Sequence, residues 1–161
     1  MDRQPFMLAR GEGDSMWSLG GLFTVKLDHA ASQGQLAVLE AVVSRAAEPP
    51  LHIHHREDEA WYVLDGHINF HVAQQVIEAK TGSFVFAPMG IPHAFTVEAE
   101  PTRVLVFATP SGFEGFVRDL GVPADGEDEP PDLTVPGPEI LGPVGDRYGI
   151  EVIGPPLRLG E

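Results

Sequence analysis

From residue 22 onward the chain alternates apolar and polar positions with a period of two, in short runs separated by turn-forming residues. Leu22–Leu27 is the first clear run, and a second at Leu36–Val43 follows the turn-rich segment His29–Gly34. Further runs fall at residues 51–54, 59–64, 67–73, 75–79, 83–87, 93–98 and 102–108. A period of two turns one face of each strand to a core and the other to solvent. Many short strands at this spacing predict an all-β jelly-roll barrel. No helical period is visible within the stretch. Residues 1–20 lack a clear period, although Phe6, Met7, Leu8 and Trp17 offer apolar contact for a strand or arm against the barrel or a partner chain.

The pattern changes after residue 111. Phe113, Phe116, Val117 and Leu120 recur at three-and-four spacing, with Gly121 placed as a C-terminal cap. That predicts a short amphipathic helix over 112–120, read as a lid on one end of the barrel or part of a dimer contact. From Val122 to Pro138 the chain carries Pro123, Pro130, Pro131, Pro136 and Pro138 with an acidic cluster at Asp125–Glu129, which predicts an exposed linker. The cluster lacks the alternating ligands and central glycine of an EF-hand loop. Residues 139–148 read as a helix interrupted by Pro143, and Ile150–Ile153 as extended. The whole, 1–161, is expected to be one domain, with a barrel core at about 22–110, a helix at about 112–120 and a linker and tail at 122–161.

Composition narrows the function. At 161 residues and 43% hydrophobic content, the chain supports one well-buried domain, and its 18 glycines and 15 prolines suit a fold of many turns. The net charge of −14, from 24 acidic against 10 basic residues, argues against nucleic acid and anionic membrane partners. No apolar run reaches the roughly 20 residues of a spanning helix, and the start of the chain lacks a signal peptide's basic-then-apolar order, so a soluble cytoplasmic protein is expected. Without cysteine, any metal must be held by nitrogen and oxygen. Gly11 and Gly13 begin a dinucleotide-binding pattern that fails at Met16, and neither a Walker loop nor a nucleophile elbow occurs, so no nucleotide cofactor is expected.

The candidate chemistry lies in two segments. Residues 52–66 read H-x-H-x4-E-x6-G, and residues 82–93 read G-x5-P-x-G-x2-H. In a strand, His52 and His54 point the same way and His55 points away. A turn through Arg56–Asp58 brings Glu59 to the start of the next strand, where Glu59, Trp61 and Val63 share the inward face. Glu57 has the same parity and is the competing carboxylate. After the turn Pro88–Gly90, His93, Phe95 and Val97 alternate inward, and His93 is expected to close the site from across the barrel. Three imidazoles and a carboxylate suit a divalent transition metal, iron, manganese, nickel, copper, cobalt or zinc, better than calcium or magnesium. With neutral imidazoles the set carries one negative charge, so a divalent metal leaves it net positive and receptive to an enolate or carboxylate.

These two motifs resemble those of the cupin superfamily, and in particular the small single-barrel bacterial proteins similar to quercetin dioxygenase. The resemblance covers roughly residues 22–110 and implies a double-stranded β-helix, frequently dimeric, with one metal held by His52, His54, Glu59 and His93. Motif spacing to both His54 and Gly66 favours Glu59 over Glu57. Two positions depart from the pattern. Ala46 stands where a glycine usually opens the first motif, and Val97 where an asparagine usually ends the second, which predicts a more apolar pocket walled by Trp61, Val63, Phe95 and Val97. Cupins share a fold and not a reaction. The leading expectation is a metal-dependent dioxygenase acting on a small aromatic, enol or polyketide-like substrate, with Glu59 both ligand and base. The alternatives are a non-oxidative cyclase, isomerase or lyase at the same site, and a small-molecule-binding cupin without turnover.

Overall fold

The computed structural model describes residues 3–125, 129–130 and 132–158. The middle of the acidic cluster, at 126–128, and Pro131 lie outside the described residues. Two antiparallel sheets face each other as a double-stranded β-helix. In chain order the strands are β1 Asp14–Ser18, β2 Gly21–Leu27, β3 Ala37–Val43, β4 Pro50–His54, β5 Asp58–Asp65 and β6 His67–Val72. They continue with β7 Gln75–Lys80, β8 Phe84–Ala87, β9 His93–Val97, β10 Thr102–Thr109, β11 Val122–Pro123 and β12 Ile150–Pro156. The helices are α1 His29–Ser32, α2 Phe113–Leu120 and α3 Pro138–Tyr148.

The seven-stranded sheet runs β11-β1-β2-β3-β10-β5-β8, and the five-stranded sheet β12-β4-β9-β6-β7. The period-two pattern is realised directly: Ala37, Leu39, Ala41 and Val43 of β3 are buried while the residues between them are not. β10 repeats this with Val104, Val106 and Ala108 and pairs with β3 on one side and β5 on the other. Leu39, Val63, Ile68, Phe70 and Val97 are fully buried between the sheets.

In the stretch without a clear period, Trp17 does lie in a strand, β1, paired with β2 and the two-residue β11, whereas Phe6, Met7 and Leu8 are exposed and outside any strand. Two elements differ from the sequence expectation. Within 29–34 a one-turn helix, α1, replaces a plain turn, with the Asp28 side chain accepting from the Ala31 N–H as an N-cap. Pro143 does not interrupt α3, which runs unbroken from Pro138 to Tyr148. The proline forfeits one bond to the carbonyl four residues earlier, while Leu141 and Gly145 stay buried and hold the helix through packing. Among the described residues no helix is long and apolar enough to cross a membrane.

The tail is tied down at several points. β12 adds to the edge of β4, Tyr148 donates to the Asp119 carboxylate at 2.6 Å, and Arg158 contacts Glu48 at 2.9 Å and Glu98 at 2.6 Å. The buried Glu48 also accepts from the Val97 N–H at 2.8 Å, so one carboxylate joins the tail to β9.

Gly66, which ends the first motif, sits at φ 129°, and a Cβ there would stand 2.9 Å from the Thr102 Cα. Gly82 is also at positive φ, 88°, but opens onto empty space. Gly66→Ala is therefore expected to cost about 3 kcal/mol, from backbone strain plus a clash with buried Thr102, and Gly82→Ala only about 1–2 kcal/mol. Urea unfolding of the two variants checks the order, and equal losses would contradict it.

Candidate metal centre

His52 and His54 lie on β4, two residues apart and on one face. His93, at the start of β9, is the ladder partner of His52. Their rings are 4.5 Å apart between centroids, and His54 lies 5.1 Å from each. His93 thus stands beside the other two histidines, not across the barrel from them. The residue that crosses is Glu59, on β5 of the other sheet, because the turn after His54 carries the chain from one sheet to the other. Ala87 and Ala108 flank Glu59 on the neighbouring strands, and their small side chains leave its carboxylate room to stand inward. One ligand atom from each of His52, His54, Glu59 and His93 lies within 4.8 Å of the others, which could hold a metal ion.

The backbone of the turns fixes the strands in place. The Gly90 N–H donates to the His54 carbonyl at 2.8 Å, and the Met89 N–H to the Asp58 carboxylate at 2.8 Å. Gly90 takes φ 80°, where a side chain is disfavoured. The glycine of the second motif thereby anchors a histidine of the first.

Hydrogen bonds behind the rings set their tautomers. His52 Nδ1 lies 2.7 Å from the Pro50 carbonyl, His93 Nδ1 3.1 Å from the Ile91 carbonyl, and His54 Nδ1 2.6 Å from the Glu57 carboxylate. Those oxygens only accept, so each Nδ1 donates and each neutral ring turns a bare Nε2 lone pair inward. His54 Nε2 and His93 Nε2 both lie 3.0 Å from Glu59 Oε2. His54 Nε2 is buried without an aligned hydrogen-bond partner. Lone pairs facing a carboxylate oxygen in a buried site repel unless a cation or proton sits between them. The donor set therefore fits a metal cation on its own geometry.

Charge states follow from burial. Burial, with His93 and His54 beside it, pushes His52 down to about 3 and keeps it neutral. Burial also opposes charge on His54, but Glu59 and then Glu57 outweigh it and hold His54 above its usual range. Burial would raise Glu59, yet His54, His93 and His52 together draw it down to about 2.

The site opens on a cavity of about 90 Å³, room for roughly six water molecules or a small organic molecule. Its wall is almost wholly apolar, and among the described residues the only charged or imidazole groups on it are His52, His54 and Glu59. Trp61 and Phe95 line it, as the strand parity predicts. Val63 and Val97 do not. Both are 0% exposed, so neither borders a space that water can enter, and the apolar pocket owes nothing to the valine at 97. Its walls come instead from strands and helices far apart in sequence. Phe113 of α2 meets the His54 ring edge at 5.6 Å, and Phe116, Leu141 of α3 and Ile150 and Val152 of β12 complete that side. Ile150 and Val152 pair with His54 and His52 respectively. Their alternation was readable in the sequence, but their pairing with β4 was not. His55, turned outward, is bound to Glu151 at 2.7 Å at the surface.

A barrel of two antiparallel sheets with an inward histidine and carboxylate cluster beside an apolar cavity defines a jelly-roll protein. Residues 38–108 match the cupin domain family, which together with the fold supports a small bacterial cupin. It is 26% identical over 122 residues, 76% of its length, to quercetin 2,3-dioxygenase of Bacillus subtilis (strain 168). The chain spans only 36% of that protein. Among solved structures, the polyketide cyclase RemF from Streptomyces resistomycificus superposes with a TM-score of 0.57 at 21% identity, over 67% of this chain and 81% of that one. KdgF from Halomonas sp. gives 0.59 at 18% identity, over 66% and 94%. At these identities the two structures speak to the fold alone.

Glu59 and Glu57 hold His54 above its usual range and a metal needs its bare Nε2, so binding competes with the proton that His54 takes up as pH falls. The apparent affinity for cobalt(II) is expected to rise with pH through the raised titration range of His54 and to level off above it. Isothermal titration across pH 6.5–8.5 measures this, and a flat profile would contradict it.

Proposed function

We propose that this chain is a metal-dependent enzyme of the dioxygenase type, acting on a small aromatic, enol or polyketide-like molecule. The observation that carries the reading is the convergence of His52, His54, Glu59 and His93, of which His52, His54 and Glu59 face an otherwise apolar cavity. The quercetin 2,3-dioxygenase relative supports the oxidative version. A metal held by these four residues would supply Lewis acidity and, where redox-active, a route for dioxygen chemistry.

The remaining work falls to the chain's own groups. Trp61, Phe95, Phe113 and Phe116 offer flat faces to an unsaturated substrate and exclude water from it. Among the described residues Glu59 is the only carboxylate on the cavity wall, so it is the group best placed to take an enol proton as the substrate binds. With no further polar side chains to read substituents, selection rests on shape and on the acidity of the substrate.

Two measurements test the proposal. Element-resolved analysis of the wild-type protein should find about one iron, manganese, nickel, copper or cobalt per chain, lost in His52→Ala, His54→Ala. Turnover of a panel of flavonols and 1,3-diketones should require dioxygen. Equal rates in air and under argon would replace the dioxygenase by a non-oxidative cyclase, isomerase or lyase, as would bound zinc. Failure to bind any metal from excess ions would leave a cupin that binds its ligand without turnover.

A further inference from the structure

Glu57 is a buried carboxylate that the site above does not use as a ligand. It is 3% exposed, lies two residues before Glu59, and its Oε1 is 2.6 Å from His54 Nδ1. The corresponding nitrogens of His52 and His93 bind neutral backbone carbonyls. One histidine of three is therefore backed by a buried carboxylate, directly behind a metal-ligand ring. A hydrogen bond from imidazole to a buried carboxylate makes the opposite nitrogen a stronger donor and holds the ring in one orientation.

We propose that Glu57 is a positioning residue that also sets the charge of the site, so that with a divalent metal the buried cluster is electroneutral and takes its substrate as a neutral acid. The inference rests on the metal-binding reading of His52, His54, Glu59 and His93. Two carboxylates, Glu57 and Glu59, balance a divalent cation, where the ligand set taken alone leaves one positive charge. In an apolar cavity that difference decides what enters. A site with net positive charge draws anions such as carboxylates, whereas a neutral one rejects a bare anion and accepts an enol that brings its own proton. The enol O–H bond breaks, its electron pair stays on the substrate oxygen, and the proton passes to Glu59 within the cavity. No net charge is then imported.

The test compares Glu57→Gln, Glu57→Ala and wild type, each folded by circular dichroism, for cobalt(II) affinity and for azide binding to the cobalt-loaded protein. Glutamine can still accept from His54 Nδ1 while removing the charge; alanine removes both. Cobalt(II) should bind about 10–100-fold more weakly to Glu57→Gln and more weakly still to Glu57→Ala. Azide, in contrast, should bind at least about tenfold more tightly to Glu57→Gln, because the loaded site then carries a positive charge. A merely damaged site would not gain affinity for an anion. His55→Gln, at the surface just after β4, should change neither value. Unchanged cobalt and azide affinities in Glu57→Gln would overturn the proposal while leaving the metal site standing, and weaker cobalt binding without tighter azide binding would overturn its charge-setting part. A wild-type protein that binds no cobalt would remove both this inference and the reading beneath it.

Discussion

Three imidazole nitrogens with bare lone pairs and one carboxylate are buried together in the interior of this barrel, and the arrangement is tolerable only with positive charge between them. Burying an unpaired polar group costs on the order of 1–3 kcal/mol, and an unpaired charge more. The structure holds the groups at that cost. His52 and His93 are locked side by side by a strand register, His54 is pinned through its carbonyl by Gly90, and Glu59 reaches over from the other sheet between two alanines. Every one of these constraints is a backbone feature of the jelly roll. The fold and the site are thus one mechanical object: slip β4 by a residue and both histidines leave the cavity together.

The C-terminal segment matters for the same reason. Its strand β12 pairs with the histidine strand itself, so the apolar side chains that cover the cavity and the imidazoles that face into it share one ladder. Glu48, Arg158 and Glu98 fasten the end of that segment to β9, the strand that carries His93. Water is kept from the cluster by elements bonded to the cluster's own strands. Exclusion strengthens every electrostatic interaction inside, which is why a single buried carboxylate such as Glu57 carries weight there that the many acidic groups on the surface do not.

Much of this was legible in the sequence because the signals are local. Alternation at period two located the barrel strands to within a residue or two, and parity alone put His52 and His54 on one face, sent His55 outward and turned Trp61 and Phe95 inward. What the sequence left undetermined depends on pairing between distant segments. The place of His93 beside His52 is a fact of sheet order, as is the contribution of Ile150 and Val152. Parity also marked Val63 and Val97 as inward without saying that larger neighbours would wall the cavity, leaving both valines as plain core. Glu57 is the sharpest case. Period two gave it the same face as Glu59, but the turn through 55–57 breaks the strand there, and Glu57 bends back behind His54 in place of facing the cavity.

A carboxylate behind the site and one inside it divide the labour that a single ligand would have to do alone. Under the proposed reading Glu57 would supply a charge that stays in place as substrate binds, since it is buried, bonded to a ring nitrogen, and does not line the cavity. If the proposal holds, then in an apolar cavity with few polar groups to recognise substituents the sum of charges at one spot would be the main chemical filter, and shape would sort among the neutral acids that pass it.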